Sequence, residues 1–353
     1  MSHLLLLSPA ANRVYAGAAG ALVAAEIEVC TGLTAEPVTV AGVDYLSLDA
    51  ESLGAAELAA IARSSARLAL FDQVGNHGRG ELLRPVELPV VDLLDDDFVT
   101  IPKYQGKTNE QFTRLLLNVT RAAATLPQGR VPTVLDPLCG RGTTLSVAWT
   151  LGLNAAGVEA DAKAFEAMGS FWKTWLRRKR LKHTADITPV RRDGKSLGRR
   201  FEATARIPAV AGGSSGSAPP LRELTATVFT GDTRDSAKLF GKRRFELIVA
   251  DAPYGVVHGS QTDVRGVSGR RDRSPAGLLS EAIGVWAGQL TSGGALGLSW
   301  NTLGLAREKL ADLVAGAGLE VPDGGPWLRF AHRVDSSIHR DILVGRKPQP
   351  ELP

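Results

Sequence analysis

The segment VLDPLCGRGTTLSVA, residues 134–148, decides the fold of this 353-residue chain. A short β-prone run ends on Asp136, Gly140 and Gly142 sit in a tight loop, and a helix-forming run starts near Thr143. Glycines let a backbone approach a ligand closely, and a helix amino terminus offers unpaired N–H groups to it. The segment therefore predicts a strand, a ligand cradle and a helix opening a parallel α/β sheet. The cradle is not of the dinucleotide type, because Leu145 stands where a third glycine belongs, and it lacks the Gly-Lys-Ser/Thr of a phosphate-binding loop. The next β-prone run, AAGVE at 155–159, closes on Glu159, a carboxylate placed to accept both hydroxyls of a ribose, with Asp161 beside it.

Further runs, TATVFT (225–230), FELIVA (245–250) and ALGLSW (295–300), alternate with helical stretches such as AKAFEAMGSFWKTWL. Strands alternating with helices imply a parallel sheet covered on both faces. Upstream, Thr108 with Gln111 matches a capping box, and Phe112, Leu115, Leu116 and Val119 follow at helical spacing. Downstream, WLRFAHRV and SIHRDILVGRK around Asp335 read as two strands joined by a turn, an antiparallel edge.

The run FELIVADAPYG (245–255) carries an apolar strand straight into Asp251, Ala252, Pro253 and Tyr254. At the carboxyl end of a parallel strand, where open α/β sheets bind ligands, this group suits a flat base bearing an amine. Asp251 and the Ala252 carbonyl accept two N–H bonds while Tyr254 stacks on the ring. Accepting both hydrogens localises the nitrogen lone pair and aims it at an electrophile.

Together these segments resemble the amino-methyltransferases that use S-adenosylmethionine. DPLCGRGTT is similar to their cofactor loop, GVEAD to their ribose-binding strand end, and DAPYG to their Asp/Asn/Ser-Pro-Pro-Tyr/Phe motif. The resemblance is greatest to the THUMP-associated tRNA guanosine 2-amino methyltransferases, whose loop and DPPYG motif follow a segment like GKTNEQFTRLLLNV; it covers roughly residues 103–346. It implies a Rossmann-like class I sheet of about seven strands, the last antiparallel. It implies S-adenosylmethionine as cofactor, with Asp136, Gly140 and Gly142 at its methionine end, Glu159 on its ribose and Asp232 on its adenine amine. Thr108, Cys139 and Asp161 join that set, and Asp251, Ala252, Pro253 and Tyr254 form the catalytic group. The implied reaction methylates a base amine in tRNA, the 2-amino group of guanine. A DNA adenine 6-amino methyltransferase and a catalytically silent RNA-binding module are the rival readings. Ala252, standing where the family has proline, is the sequence support for the silent module.

Residues 176–206 hold eleven Lys or Arg against three acids, a local +8 in a chain of net +4. With the linker-like AVAGGSSGSAPP (209–220), they read as a basic, flexible insertion at about 177–222. Arg177, Arg178, Lys179, Arg180 and Lys182 are the residues expected to grip nucleic-acid phosphates. Trp172 and Trp175 are expected in the core, the Gly-, Ser- and Arg-rich stretch 256–274 as a loop over the substrate, and His258 and His339 without a metal. Residues 1–100 suggest a separate small α+β domain, with an RNA-binding role open to it, ahead of a methyltransferase domain at 101–353. Two cysteines, no disulfide framework and no uninterrupted apolar run of about 18 residues predict a cytoplasmic chain without a membrane span. Oligomeric state is not encoded in any of these patterns.

Overall fold

Backbone placement follows from apolar periodicity in both halves of the chain. The computed structural model describes residues 3–10, 12–76, 81–192, 195–208, 221–254 and 275–350. The first part contains β1 (His3–Leu7), α1 (Arg13–Thr31), β2 (Ala35–Val40), β3 (Val43–Leu48), α2 (Ala55–Arg63), β4 (Arg67–Asn76) and β5 (Glu81–Val86). Its five strands pair antiparallel in the order β2-β3-β1-β4-β5. By length and hydropathy α1 meets the measure of a membrane span. Its Tyr15, Ala19, Leu22 and Ala25 are instead buried against apolar residues of the second part. Glu26 of α1, 1% exposed, accepts from the Ser65 N–H and hydroxyl and from Asn118 Nδ2, at 2.5–3.0 Å. Both oxygens of this buried carboxylate are thus hydrogen-bonded where it joins the two parts of the chain.

The second part begins before residue 100. Leu94 and Phe98, the latter in the short helix α3 (Asp97–Thr100), pack with Trp149, Trp172 and Trp175, which confirms the core placement of both tryptophans. Then come α4 (Glu110–Ala123), β6 (Thr133–Asp136), α5 (Thr143–Thr150), β7 (Asn154–Glu159), α6 (Ala162–Arg178), β8 (Lys182–Arg192), β9 (Lys195–Pro208) and β10 (Leu221–Thr230). The chain ends with α7 (Ser236–Phe240), β11 (Phe245–Asp251), α8 (Pro275–Gln289), β12 (Leu290–Asn301), α9 (Arg307–Gly316), β13 (His332–Arg333) and β14 (His339–Arg346). One sheet runs β13-β14-β12-β11-β6-β7-β10-β9-β8. Its five central strands are parallel, and β14 runs against β12.

Alternation along β11 explains the layers. Leu247 and Val249 meet α4 through Phe112, Leu115, Leu116 and Val119, whereas Ile248 and Ala250 meet α8 through Ile283 and Trp286. Each such fully buried side chain contributes about 1.5–3 kcal/mol. The Rossmann-like sheet expected from sequence, with its reversed last strand, is therefore present in β10-β7-β6-β11-β12-β14-β13.

Two expectations need correction. The sheet has nine strands, not about seven, because the described basic residues after α6 form the hairpin β8–β9. It pairs antiparallel onto β10 and buries Phe201, Ala203, Ala205 and Ile207. That alternating apolar face, at every second residue of a charged segment, is what makes it a strand rather than a flexible insertion. The linker at 209–220 and the loop at 256–274, His258 included, lie outside the described residues. The helix after Thr108 is capped by Asn109, whose side chain accepts from the Phe112 N–H at 3.0 Å, so the Thr108 hydroxyl is free for another use.

Candidate functional site

The chain passes from β6 to β7 on one side of the sheet and returns to β11 on the other. This order reversal opens a crevice between the carboxyl ends of β6 and β11, the place where open α/β sheets bind ligands. Asp136 ends β6 and Asp251 ends β11, so both carboxyl groups stand at the crevice.

After β6 the backbone turns through Gly140 (φ +52°) and Gly142 (φ +82°), the left-handed region that glycine adopts at little cost. The Gly142 N–H returns to the Cys139 carbonyl at 2.7 Å, and α5 starts at the next residue. The loop can lie flat because β7 has Gly157 beneath it, where a Cβ would come within 2.9 Å of the Cys139 sulfur. The Cys139 thiol is buried, and burial pushes its pKa well up. Its side chain thus packs the loop onto the sheet.

Glu159 is tied to the same loop, its Oε2 accepting from the Gly140 N–H at 2.7 Å and its Oε1 from the Asp161 N–H at 2.6 Å. Asp161 is itself spent as the α6 cap, accepting from the Lys163 and Ala164 N–H groups. Asp232 caps a 3-10 turn at Thr233–Asp235 and holds the Arg234 guanidinium at 2.5–2.8 Å. Glu159 and Asp232 line one cavity of about 410 Å³ together with Val158, Leu138 and Asp251. A second cavity, of about 350 Å³, extends from Leu138 and Asp251 past Asp136, Gly140 and Thr143 to Tyr254. The two share Leu138, Asp251 and Pro253, so Asp251 stands where they meet.

Both oxygens of Asp251 accept a hydrogen bond, Oδ2 from the Thr108 hydroxyl at 2.5 Å and Oδ1 from the Tyr254 hydroxyl at 2.6 Å. Thr108 thus meets Asp251 directly and lines the same cavity as Asp136 and Gly140. The Ala252 N–H donates to the Ser299 carbonyl at 2.8 Å, extending the β11–β12 ladder past Asp251. A proline there has no N–H to give, so alanine fixes this turn by a hydrogen bond where proline would fix it by its ring.

Asp136 is 3% exposed and its pKa is pushed up to about 7, first by burial and then by the charges of Asp251 and Glu159, against hydrogen bonds from Thr144 and the Leu138 N–H. Burial likewise raises Glu159. Three carboxyl groups along two adjoining cavities favour a cation over a phosphate there.

Several lining residues carried no sequence signal. The Tyr104 hydroxyl meets the Thr143 hydroxyl at 2.9 Å, Arg141 lies over the Tyr104 ring, and Arg340 lies over Tyr254. Arg141 belongs to the glycine loop itself, whereas Tyr104 and Arg340 arrive from a loop and a strand outside it, so only the tertiary fold brings those two to the site.

The basic residues divide into two groups. Asp161 starts α6 at the catalytic edge, and α6 runs back, which carries Arg177 and Arg178 to the opposite edge. The register Lys182–Arg206–Glu223 confirms this level, about 20 Å down a six-residue strand from Glu159. Arg177, Arg178, Arg180 and Lys182 are exposed and have no ion-pair partner among the described residues. Lys179 is held by Asp95 and Asp97 at 2.6 and 2.8 Å, so its charge is neutralised within the fold. Arg199, Arg200 and Arg206 pair with Glu166, Glu202 and Glu223. Four of the eleven cations thus have acidic partners, Arg200 in Glu202 of the same segment and Lys179, Arg199 and Arg206 in Asp95, Asp97, Glu166 and Glu223 from outside it. Among the described residues no group of His, Cys, Asp and Glu has a metal-binding arrangement.

No protein-family model matches the chain, and no curated protein does. Among solved structures it is similar to TrmN from Thermus thermophilus, with 13% identity over 98% of this chain and 100% of that one and a TM-score of 0.44. It is also similar to precorrin-6y C5,15-methyltransferase from Geobacter metallireducens (11% identity, 73% and 98% covered, TM-score 0.38). A third is the TehB-like SAM-dependent methyltransferase from Corynebacterium glutamicum (13% identity, 63% and 82% covered, TM-score 0.33). Similarity at this level assigns no substrate.

Proposed function

We propose that the chain is an S-adenosylmethionine-dependent methyltransferase acting on an exocyclic base amine of RNA, the 2-amino group of a guanosine in tRNA. The observation that carries this reading is Asp251 at the junction of two cavities, one running to Glu159 and Asp232 and the other to Tyr254. The cofactor supplies an electrophilic methyl on a cationic sulfonium, and its methionine end adds an ammonium. Asp136 and the amino terminus of α5 would hold the methionine end, Glu159 the ribose and Asp232 the adenine amine. The acid-walled cradle favours this cation over a polyphosphate.

On the substrate side, Asp251 accepts from the target amine, Thr108 and Tyr254 fix the carboxylate, and Pro253 and Tyr254 face the base. Positioning and charge stabilisation then supply the catalysis, since both are in place before the base arrives. No metal or membrane has a part in the proposal, and its setting is the cytoplasm, in keeping with two free thiols. The test is incubation with methyl-labelled cofactor and tRNA, followed by mass spectrometry of the nucleosides. N2-methylguanosine is the expected product. Methylation of adenine in DNA alone, or of neither nucleic acid, overturns the reading.

Two further outcomes follow. Glu159→Ala is expected to weaken cofactor binding ten- to hundredfold, about 1.5–3 kcal/mol, because a carboxylate's bonds to ribose are charge-assisted; unchanged affinity by calorimetry removes the ribose assignment. Replacing Arg177, Arg178 and Arg180 by Gln is expected to flatten the slope of log tRNA affinity against log salt by roughly 2, at about 0.7 per contact. Methylation of a short oligonucleotide should be untouched, since these residues lie at the far edge of the sheet. An unchanged slope means this edge does not meet RNA.

A further inference from the structure

Arg340 is the second residue of β14 and is 5% exposed. Its guanidinium carbon lies 4.3 Å from the centre of the Phe112 ring and 5.1 Å from that of Tyr254. Among the described residues it makes no ion pair and no side-chain hydrogen bond, and its Nε is buried without a partner. A buried guanidinium N–H without an acceptor is unfavourable, and two aromatic neighbours offset only part of that. Nearby His332 does not pair with it, since its Nδ1 meets the Phe330 carbonyl at 2.9 Å and its Nε2 is buried without a partner. Arg340 lines the same cavity as Asp251 and Tyr254. An unpaired donor set in a ligand cavity points to an acceptor on the ligand.

The strand register says which ligand atoms these are. Asp251 pairs with Ser299 and Arg340 with Asn301, two residues apart on β12, which lies between β11 and β14. Both side chains therefore issue from the catalytic edge, on backbones two strand spacings, about 10 Å, apart. The two side chains also flank Tyr254, whose hydroxyl donates to Asp251 and whose ring lies by the Arg340 guanidinium, so a base at Tyr254 lies beside both. A guanine held by its 2-amino group at Asp251 turns its O6 and N7 acceptors away from that carboxylate, and arginine's fork matches this pair of atoms. An adenine held by its 6-amino group turns only single ring nitrogens the same way.

We propose that Arg340 is a specificity-determining residue that donates to the O6/N7 edge of a guanine whose amine lies at Asp251. This rests on the base-amine reading above and names the base. The test uses the full chain and two short single-stranded RNAs that differ only in one guanine or 7-deazaguanine, which lacks the N7 acceptor and keeps the amine. Wild type is expected to bind the guanine RNA about tenfold or more tightly, the share of one bond to a charged donor. Arg340→Met, which keeps the packing between the rings, is expected to bind both RNAs equally with cofactor affinity unchanged, and Arg340→Lys to be intermediate. Equal binding of the two RNAs by wild type overturns the proposal, a comparison that needs no variant to fold. So does an Arg340→Met variant that keeps the preference, or that loses cofactor affinity instead. A guanine preference without any methyl transfer would sustain Arg340's role and overturn only the methyltransferase reading.

Discussion

Asp251→Ala is expected to lower turnover by about 10²- to 10³-fold while cofactor affinity stays within about twofold. The side chain sits at the meeting point of the two cavities, and its oxygens are held by Thr108 and Tyr254. Both donors leave lone pairs on the carboxylate, so it can accept an amine hydrogen without first reorganising. As the amine nitrogen bonds the methyl and the carbon–sulfur bond breaks, positive charge develops on that nitrogen beside this carboxylate, which can take the proton it then sheds, so the carboxylate's contribution is larger in the transition state than in the ground state. Thr108→Val and Tyr254→Phe each remove one fixing bond. They should cost less than Asp251→Ala, and Tyr254→Ala, which also deletes the stacking ring, should exceed Tyr254→Phe. Single-turnover rates alongside calorimetry separate these effects. Wild-type turnover in Asp251→Ala would refute the assignment.

The strands that carry the site were legible because their chemistry is local. TVLD and AAGVE each end in a carboxylate and FELIVA runs straight into one, each followed by a turn, and the strands end at Asp136, Glu159 and, one residue past FELIVA, Asp251. The β8–β9 hairpin was hidden because eleven cations outweigh an apolar alternation carried by Phe201, Ala203, Ala205 and Ile207. Composition there described the solvent face, and the buried face decided the fold. Thr108 was legible as a residue of interest, but its role was not, since its partner is 143 positions away. Arg340 was invisible for a related reason. In sequence it is one cation among many, and only burial without a partner sets it apart. Sequence adjacency to α6 likewise says nothing about which end of the sheet the basic cluster reaches.

Asp136→Asn is expected to do two opposite things, and their combination is the sharpest test of the cradle. The folded chain holds this carboxyl's pKa at about 7, above its ordinary 3.8, so folding favours its protonated form. The sign follows directly: wild-type stability is lost as pH rises from about 4 to 7, and the full penalty is present at pH 8. The neutral amide of the variant carries no such penalty. Its carbonyl oxygen keeps the Leu138 N–H bond, and its NH₂ group can donate to the Thr144 hydroxyl. The variant should therefore gain on the order of 2 kcal/mol relative to wild type between pH 5 and pH 8, read from denaturant midpoints at the two pH values. Cofactor binding should move the other way, with a loss of about a hundredfold or more, because a buried cationic partner left without its carboxylate costs about 3 kcal/mol or more. In wild type, affinity should fall about tenfold for each pH unit below 7, since the ammonium must displace a proton, and in Asp136→Asn this slope should vanish. A pH-independent wild-type affinity would mean that the carboxyl does not face the cofactor's cation. A variant that is stabilised yet binds normally would make Asp136 a buried acid of the fold alone. Stability lost at the site in the empty protein and recovered when the cation binds is what a cradle built for a positively charged ligand requires, and an acid that merely packed the strand end would have no partner to recover it.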